Sequence, residues 1–426
     1  MKIKFLLFTI LLPMVANADS VEIDGIWYEL ISKGNAAKVI SNPDVNIKYA
    51  GDIVIPSKVL YGEREYDVKY INKFAFESCT NLKSIRIPNS VSTIDEFTFG
   101  DCINLQTIYI PSSITVIEDR AFDGCRKLNA VYTDDLDAWC KITFKEYQGA
   151  NPLCYGGRLY INGNELKDLV FPTDIEYVNP YAFQGCISLT SVTIPEGVKG
   201  IGENAFEECL SLKTVQLPNS LEWIGTECFR FDSSITSISL PDNISSIGLG
   251  AFLDCSGITE LTIPSKLEEI GRWPFSGMTG LTSLVIPDNI ERIGEMAFGE
   301  CSKLKTITIS KNVTQIDEKA FSGCSELKDV ICRADKVPFA KADAFQDCYP
   351  EYINLYVPKG CVDSYRSVIP WSLFGIISEI NEETGINSVR FNKSNAHDHI
   401  FNLEGKAQNK LQKGINIVNG KKYIVR

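Results

Sequence analysis

Cysteine is the residue type whose number and spacing in this sequence could support the most chemistry. The chain has 14 cysteines, of which nine recur three residues after an Ala-Phe or Thr-Phe dipeptide: Cys79, Cys102, Cys125, Cys186, Cys209, Cys255, Cys301, Cys324 and Cys348. Two other copies of the pattern have Asp232 and Met278 at this place, so a disulfide is not obligatory there. Stacked copies would also point the side chains in parallel directions, which suits a disulfide poorly. We therefore expect buried free thiols that pack as small apolar groups.

Cys140 and Cys154 lie outside this pattern. In an exported chain they could form a disulfide. Their spacing alone does not decide between that bond and two free thiols.

Histidine is nearly absent. The sequence has 2 histidines, His397 and His399, both in a polar stretch near the C-terminus. The rest of the chain therefore cannot assemble a Ser-His-Asp or Cys-His nucleophile or a His-containing zinc site. The segment His397-Asp398-His399 could hold a metal, but a solvated loop is the favoured interpretation. We predict no metal site and no cofactor.

Carboxylates are the remaining route to catalysis, because a glycosidase needs only two of them. The acidic residues are scattered through predicted turns, as Asp242, Asp288 and Glu291 illustrate. A regular repeat offers shallow faces and ridges, whereas most active sites lie in a deep pocket. We therefore predict that the protein is not an enzyme.

The charge balance restricts the partners. The 426 residues carry a formal net charge of −12. An acidic surface repels phosphate backbones, which argues against nucleic acid as a partner.

Residues 1–18 read as a secretory signal peptide. Lys2 and Lys4 precede an apolar run, and Ala16-Asn17-Ala18 provides small residues for cleavage. No later stretch has the roughly 18 consecutive apolar residues of a membrane-spanning helix. We expect a secreted or outer-cell-surface protein with no transmembrane segment after signal cleavage.

An internal repeat of 23 residues dominates the sequence. Its first marker is an apolar-Pro pair: Ile87-Pro88, Ile110-Pro111, Phe171-Pro172, Ile194-Pro195, Leu217-Pro218, Leu240-Pro241, Ile263-Pro264 and Ile286-Pro287. The step between Pro111 and Pro172 is 61 residues, so a longer excursion interrupts the array. One unit cannot bury its own apolar side chains, and stacking successive units would join them into one continuous core.

A single unit, residues 189–212, shows how the pattern predicts structure. A short alternating stretch predicts a half-buried strand that Pro195 ends, because proline removes a ladder donor. A second short strand follows and leads to Gly202, where we expect a backbone with positive φ. Ala205 and Phe206 then face the core from a short helical turn.

The stretch 281–304, LTSLVIPDNIERIGEMAFGECSKL, resembles the BspA-type leucine-rich repeat, whose pattern is close to L-x-x-I-x-I-P-x-S-V-x-x-I-G-x-x-A-F-x-x-C. The resemblance covers roughly residues 50–350. It implies a repeat solenoid: a leucine-rich-repeat-type right-handed β-solenoid with short helical turns, mostly β and capped at both ends. It also implies a surface or secreted molecule of host-associated bacteria, since some relatives act as adhesins.

The sequence divides into five predicted parts. They are a signal peptide (1–18), an N-terminal cap (19–72), the 23-residue repeats (73–349) with an irregular interruption (134–170), a C-terminal capping unit (350–380), and a linker with a tail (381–426). The tail resembles the C-terminal sorting domains of Bacteroidetes-type secretion, although it is shorter. A simple hairpin through Asn419-Gly420 explains it equally well.

Five residues are candidates for ligand binding. Arg86, Tyr109 and Tyr132 occupy successive outward places in the strand row, where other copies mostly have Ser, Thr or β-branched residues. A cation with two aromatics suits protein or glycan contact. Trp139 and Tyr155 belong to the aromatic-rich interruption, which is either a recognition surface or, as we favour, a small core that seats the irregular turns.

These observations favour an exported non-enzymatic binding scaffold for cell-surface adhesion or protein–protein interaction. Its partner would be a host or microbial surface protein, bound through the broad strand face. The alternative is a carbohydrate-binding surface protein that uses the same aromatic residues. A hydrolase and a purely structural spacer are the other interpretations.

Overall fold

The computed structural model describes residues 20–145 and 149–380, together with the backbone of short strands between residues 400 and 425. The chain forms two compact units, one of Met1–Leu128 with Lys145–Pro152 and one of Asn129–Phe144 with Leu153–Arg426. The predicted signal peptide and the two histidines lie outside the described residues.

The first unit begins with a five-stranded sheet in the order β1-β2-β3-β6-β5. Its strands are β1 (Ser20–Ile23), β2 (Ile26–Ile31), β3 (Ala36–Val39), β5 (Lys58–Tyr61) and β6 (Arg64–Ile71). Strand β4 (Ala50–Val54) lies between β3 and β5 in the sequence but belongs to the next sheet. Strand β2 buries every second residue, as an amphipathic strand does. This sheet occupies most of the stretch that we predict to be the N-terminal cap.

Repeated turns follow in the first unit. Their strands are β7 (Asn81–Arg86), β8 (Thr93–Ile94), β9 (Thr107–Tyr109) and β10 (Val116–Ile117). Strands β4, β7 and β9 pair in parallel, and β8 pairs with β10. Each turn thus contributes a longer strand to one row and a two-residue strand to another. Equivalent residues lie side by side, as in Ile85 opposite Ile108.

The second unit continues the same architecture. Its elements up to residue 380 are β11 (Ala130–Thr133), α1 (Leu136–Cys140), β12 (Thr143–Phe144), β13 (Arg158–Ile161), β14 (Asn164–Glu165), β15 (Asp168–Val170), β16 (Tyr177–Val178), β17 (Ser191–Thr193), β18 (Gly200–Ile201), β19 (Thr214–Gln216), β20 (Trp223–Ile224), β21 (Ser246–Ile247), β22 (Glu269–Ile270), β23 (Ser283–Val285), β24 (Arg292–Ile293), β25 (Thr306–Ile309), β26 (Gln315–Ile316), β27 (Asp329–Cys332), β28 (Phe339–Ala340), a 3-10 helix (Pro350–Tyr352), β29 (Asn354–Val357), α2 (Val362–Arg366), a second 3-10 helix (Trp371–Leu373) and β30 (Ile376–Glu379).

Two strand rows run through the second unit, and both are interrupted. The first row contains the sheets β15-β17-β19 and β23-β25-β27-β29-β30. The second row contains β16-β18-β20-β21 and β22-β24-β26-β28. Within each sheet of these rows, neighbouring strands are parallel and one repeat apart in most cases. The mostly β repeat solenoid predicted from the sequence is confirmed.

A ladder of phenylalanine rings forms the core on the side of the hydrogen-bonded turns that carry the Ala-Phe pairs, where the short helical turn expected from the sequence is not formed. Successive rings, one per repeat, are nearly parallel, with centroids 5.3 Å apart between Phe229 and Phe252 and 5.9 Å apart between Phe252 and Phe275. Offset stacking of this kind adds about 0.5–1.5 kcal/mol per pair beyond the burial of apolar area. The ladder explains why Phe recurs in every copy of the repeat.

The recurring cysteines line the same core. All nine at the repeat position are buried free thiols, as predicted. Several donate to the carbonyl of the core phenylalanine one turn earlier: Cys102 to Phe76 at 3.1 Å, Cys255 to Phe229 at 3.0 Å, and Cys348 to Phe321 at 2.9 Å. Cysteine therefore serves here as a small apolar group that also donates a second hydrogen bond to a buried carbonyl.

The prediction that Gly202 has a positive φ is wrong. The five glycines at this place of the repeat all lack a positive φ: Gly202, Gly225, Gly248, Gly271 and Gly294. At Gly202 and Gly248 glycine is needed because the preceding turn approaches closely: a Cβ at Gly202 would lie 2.5 Å from the Pro180 nitrogen, and at Gly248 2.4 Å from the Thr226 nitrogen. The left-handed backbone instead occurs at residues just before the core Ala and the core Cys, such as Asn204 and Glu208.

The end of the repeat array is closed by aromatic side chains. Tyr365 and Trp371 are fully buried, and Phe374 nearly so. The Trp371 Nε1 donates to the Pro338 carbonyl at 3.0 Å, which satisfies the only polar atom of the indole. These residues lie in the stretch that we predict to be the C-terminal capping unit.

The tail contains four short strands: β31 (Ile400–Phe401), β32 (Ala407–Gln408), β33 (Gly414–Val418) and β34 (Lys421–Val425). They form one antiparallel sheet in the order β32-β31-β33-β34. Strands β33 and β34 flank Asn419-Gly420 and pair with each other, from Val418 opposite Lys421 onwards. In the described part of the chain, no helix has the length and apolarity needed to cross a bilayer.

Candidate binding surface

The outward places of the first strand row carry the first candidate residues. In the first unit, Val54, Arg86 and Tyr109 lie opposite one another on β4, β7 and β9. Side chains alternate along a strand, so the inward neighbour Ile85 enters the core while Arg86 faces outward. The strand register therefore places a large apolar side chain, a cation and an aromatic side by side.

Arg86 and Tyr109 interact directly, as the sequence predicts for neighbours in this row. The guanidinium carbon of Arg86 lies 3.7 Å from the centroid of the Tyr109 ring, a cation–π contact. The Tyr109 hydroxyl is buried and has no hydrogen-bond partner in the described part of the chain. Arg86 remains exposed. Its planar group is thus held in place on a ring while its N–H donors stay available to a partner.

Tyr132 belongs to the second unit and stacks on Tyr160. The two residues are opposite each other on β11 and β13, with ring centroids 4.7 Å apart and planes 18° apart. Glu165 lies opposite Tyr160 on β14 and forms an ion pair with Arg158 at 2.5 Å. Strands β13 and β14 form a hairpin through Asn162-Gly163, with Ile161 opposite Asn164. The result is a stacked tyrosine pair beside a charged hairpin.

Trp139 is not available to a ligand, and this corrects its place among the candidates. Its side chain is 1% exposed, and its Nε1 donates to the Ala182 carbonyl at 3.1 Å. Its ring packs on Phe144 at 5.7 Å. Trp139 therefore belongs to the small core of the interruption, the interpretation that the sequence favoured. Cys140 beside it is a buried free thiol, so the structure contains no disulfide from Cys140 to Cys154.

Tyr155 is 38% exposed on the same interruption. Its neighbours in the sequence, Leu153 and Gly157, are buried. Tyr155 therefore remains a candidate because its side chain is exposed.

Two further aromatic pairs lie outside the outward places of the first strand row and are not among the residues predicted from the sequence. On the second row, Tyr177 and Trp223 have near-parallel rings with centroids 6.1 Å apart. In the first unit, Phe74 and Phe97 stack at 5.6 Å, and the Lys73 ammonium lies 4.9 Å from the Phe74 centroid. Reading every place of the repeat separately shows that aromatics occur at both places, but not that Tyr177 and Trp223 meet across the strand between them.

Two buried thiols, Cys140 and Cys301, illustrate how burial opposes nucleophilic chemistry. Burial raises the pKa of Cys140 and of Cys301 to about 12. At neutral pH these groups are protonated thiols, and the thiolate is the reactive form. Within residues 20–145 and 149–380, no three His, Cys, Asp or Glu side chains are placed to hold a metal ion together.

Comparison with known proteins identifies the repeat. The family described as "BspA type Leucine rich repeat region" matches in six copies over residues 63–145, 157–277 and 227–354, well over half of the chain. A search of curated proteins found no significant match.

Solved structures of bacterial repeat proteins have a similar fold. A leucine-rich repeat protein from Bacteroides ovatus is 24% identical with a TM-score of 0.51, covering 85% of this chain and 100% of that one. The pneumococcal vaccine antigen PcpA is 18% identical with a TM-score of 0.55, covering 85% and 99%. A leucine rich cell surface protein from Faecalibacterium prausnitzii is 22% identical with a TM-score of 0.47, covering 86% and 96%.

Proposed function

Because the chain belongs to the BspA-type leucine-rich repeat family, we propose that it is an exported, non-enzymatic scaffold that binds a protein partner at or outside the cell surface. The observation that carries the proposal is the set of outward residues on the first strand row, Val54, Arg86 and Tyr109. There the exposed Arg86 guanidinium is held 3.7 Å from the centroid of the Tyr109 ring. An arginine ordered on an aromatic ring is typical of residues that dominate binding energy at protein interfaces.

The row suits a protein surface better than a sugar. The Arg86 guanidinium covers one face of the Tyr109 ring, and that face is then closed to a stacking sugar. Trp139 is buried. The same guanidinium offers several N–H donors in a plane, which match a carboxylate of a partner protein. Val54, 67% exposed and opposite Arg86, adds apolar surface beside the cation.

Two features support a non-enzymatic role and export. Cys140 and Cys301 are held as protonated thiols, and a stacked repeat presents its side chains on shallow faces. Residues 1–18 have the charge and apolarity of a secretory signal. The partner on this proposal is a host or microbial surface protein.

A charge-reversal pair tests the proposal. Arg86→Glu removes the cation–π contact and inverts the charge, and Arg64→Glu makes the same change in net charge at another exposed place of the first unit. Both proteins, without residues 1–18, would be tested for binding to immobilised proteins of the host extracellular matrix and of co-resident bacterial surfaces. We expect Arg86→Glu to weaken the strongest interaction at least tenfold, about 1.4 kcal/mol, while Arg64→Glu keeps it.

Thermal unfolding of the two variants controls for damage to the fold, and both should unfold close to the unchanged protein. Equal binding by Arg86→Glu and the unchanged protein would refute the assignment of this row. Turnover of a substrate by the purified chain would refute the non-enzymatic role.

A further inference from the structure

A second aromatic surface lies on the other strand row, in the second unit. Tyr177, Gly200 and Trp223 occupy successive places on β16, β18 and β20, directly opposite one another. The next residue of each strand, such as Val178 or Ile201, is buried, so these three places face outward. Tyr177 is 46% exposed and Trp223 is half-buried.

Gly200 makes this arrangement possible. A Cβ at Gly200 would lie 1.9 Å from the Cε2 and 2.1 Å from the Cζ2 of Trp223, far inside van der Waals contact. The indole therefore leans across Gly200 towards Tyr177, although the two strands that carry the rings are separated by β18. The centroids come within 6.1 Å, with planes 29° apart. Any other residue at position 200 would push the rings apart.

Hydrogen-bonding groups lie along the edge of the ring pair. The Tyr177 hydroxyl donates to Glu176 Oε1 at 3.0 Å, and Lys199 Nζ donates to Glu222 Oε1 at 2.8 Å. The hydrogen bond from Lys199 lowers the pKa of Glu222, and the bond to Glu222 raises the pKa of Lys199, so both remain charged. Glu176 therefore accepts a hydrogen bond from Tyr177, and Glu222 accepts one from Lys199. The negative charge of the two carboxylates is thus already compensated by these donors.

We propose that Tyr177 and Trp223 form a platform for a pyranose ring of a neutral glycan. A sugar ring has an apolar C–H face that packs on an aromatic surface, and hydroxyls at its rim that both donate and accept hydrogen bonds. Tyrosine and tryptophan supply that combination of a broad apolar body and a polar tip. Glu176 and Glu222 accept from such hydroxyls and Lys199 donates to them.

The Lys199–Glu222 ion pair favours a neutral glycan over a cationic partner. An arginine side chain would also stack on tryptophan, but it would have to compete with Lys199 for Glu222. A neutral ligand with many hydroxyls can join the existing network without breaking the ion pair. This inference does not depend on the protein-binding proposal, because it uses different residues on the other strand row.

An array of neutral oligosaccharides, including chito-, malto- and manno-oligosaccharides, tests the platform. The chain would be displayed as a tetramer on streptavidin so that weak single-site affinities become detectable. The strongest hit would then be titrated as free oligosaccharide by tryptophan fluorescence and calorimetry. We expect Trp223→Ala to abolish binding and Tyr177→Ala to weaken it at least tenfold.

Gly200→Ala is the sharper variant, because it keeps both aromatics and only separates them. We expect at least a tenfold loss of affinity from it. Trp273→Ala is the matched control: this tryptophan is 38% exposed elsewhere in the same unit, and its loss should leave the affinity unchanged. Unfolding midpoints of all four variants identify any that fail to fold. If Gly200→Ala is misfolded, Trp223→Phe replaces it, with a weaker but measurable loss expected.

Three results would overturn the proposal. The first is the absence of any hit on the array. The second is a hit whose affinity is the same for the Trp223→Ala and Trp273→Ala proteins. The third is tighter binding of an arginine-rich peptide than of any sugar, with an affinity that falls steeply with salt and requires Trp223.

Discussion

Two stretches of the second unit share the same 23-residue repeat but differ in how their turns are joined. Between residues 283 and 357, strands β23, β25, β27 and β29 pair in register, with Leu284 opposite Ile307 and Ile307 opposite Val330. In the central turns, the described structure has no strand in residues 225–245 or 248–268, and no amide of residues 237–240 or 261–263 donates to another backbone group. The same sequence pattern therefore does not guarantee the same hydrogen bonds.

The room around the repeat glycine shows how closely each turn approaches the preceding one. An added Cβ would lie 2.5 Å from the preceding turn at Gly202, 2.4 Å at Gly248 and 2.3 Å at Gly294. At Gly271 the nearest atom, the Ile247 carbonyl oxygen, is 3.8 Å away. The second strand row also stops between β21 and β22 at this point. The turns are consequently further apart here on the strand side.

On the side of the turns that carry the core phenylalanines, backbone hydrogen bonds continue across the same point. The Phe252 amide donates to the Pro274 carbonyl at 2.9 Å, and the Asp254 backbone amide donates to the Ser276 carbonyl at 2.9 Å. The phenylalanine ladder is also continuous, with Phe252 and Phe275 5.9 Å apart. The stacked phenylalanine rings and the hydrogen bonds between turns can therefore hold neighbouring repeats together where the strands no longer pair.

The largest expected effect is on stability, and it separates Gly248, where the preceding turn is close, from Gly271, where it is further away. Gly248→Ala puts a methyl group 2.4 Å from a backbone nitrogen, and we expect it to destabilise the protein by about 2 kcal/mol or more. Gly271→Ala has room, and the lower entropy of its unfolded chain should leave stability unchanged or raise it by up to about 1 kcal/mol. Urea unfolding of the two variants measures the difference. Equal losses would show that the turns are equally close at both places.

The central turns also contain a buried acid at the repeat-cysteine position. Asp232 is fully buried, and neither of its carboxyl oxygens has a hydrogen-bond partner in the described residues. Burial, and then the nearby carboxylates Glu207 and Glu208, raise the pKa of this carboxyl well above its usual range. A cysteine here would be placed to donate to the preceding turn, as Cys255 does.

Asp232→Cys should therefore stabilise the protein by about 1–3 kcal/mol, because it removes an unsatisfied buried group. The gain should grow as pH rises. Above about pH 4 the unfolded aspartate loses its proton while the folded one keeps it, so unfolding releases a proton and the unchanged protein loses stability with increasing pH. Unfolding free energies of both proteins across pH 4–7 measure this, and Met278→Cys is the control. A gain that did not change with pH would contradict a protonated Asp232.

The sequence predicted the repeat, the core and the free thiols because each depends on a side chain that recurs every 23 residues. It failed where the decisive quantity was a distance between turns. Gly202 was assigned to a special φ, but it avoids a contact that only the stacked structure contains. The Tyr177–Trp223 platform depends on how far an indole leans across a neighbouring strand, which no spacing encodes. Trp139 is among the residues that the sequence offers for binding, but it is 1% exposed and packs on Phe144 in the small core of the interruption.

The smallest effect concerns the backbone of the unchanged protein. Amide hydrogen exchange of peptides covering residues 235–241 and 258–264 should be faster than that of residues 305–309 and 329–332. The central amides lack strand partners, whereas β25 and β27 pair with each other and with flanking strands. We expect a difference in opening free energy of at least about 1 kcal/mol, roughly fivefold in exchange rate. Similar protection of both stretches would mean that the strand ladder is continuous in solution, and Gly271→Ala should then destabilise the protein as well.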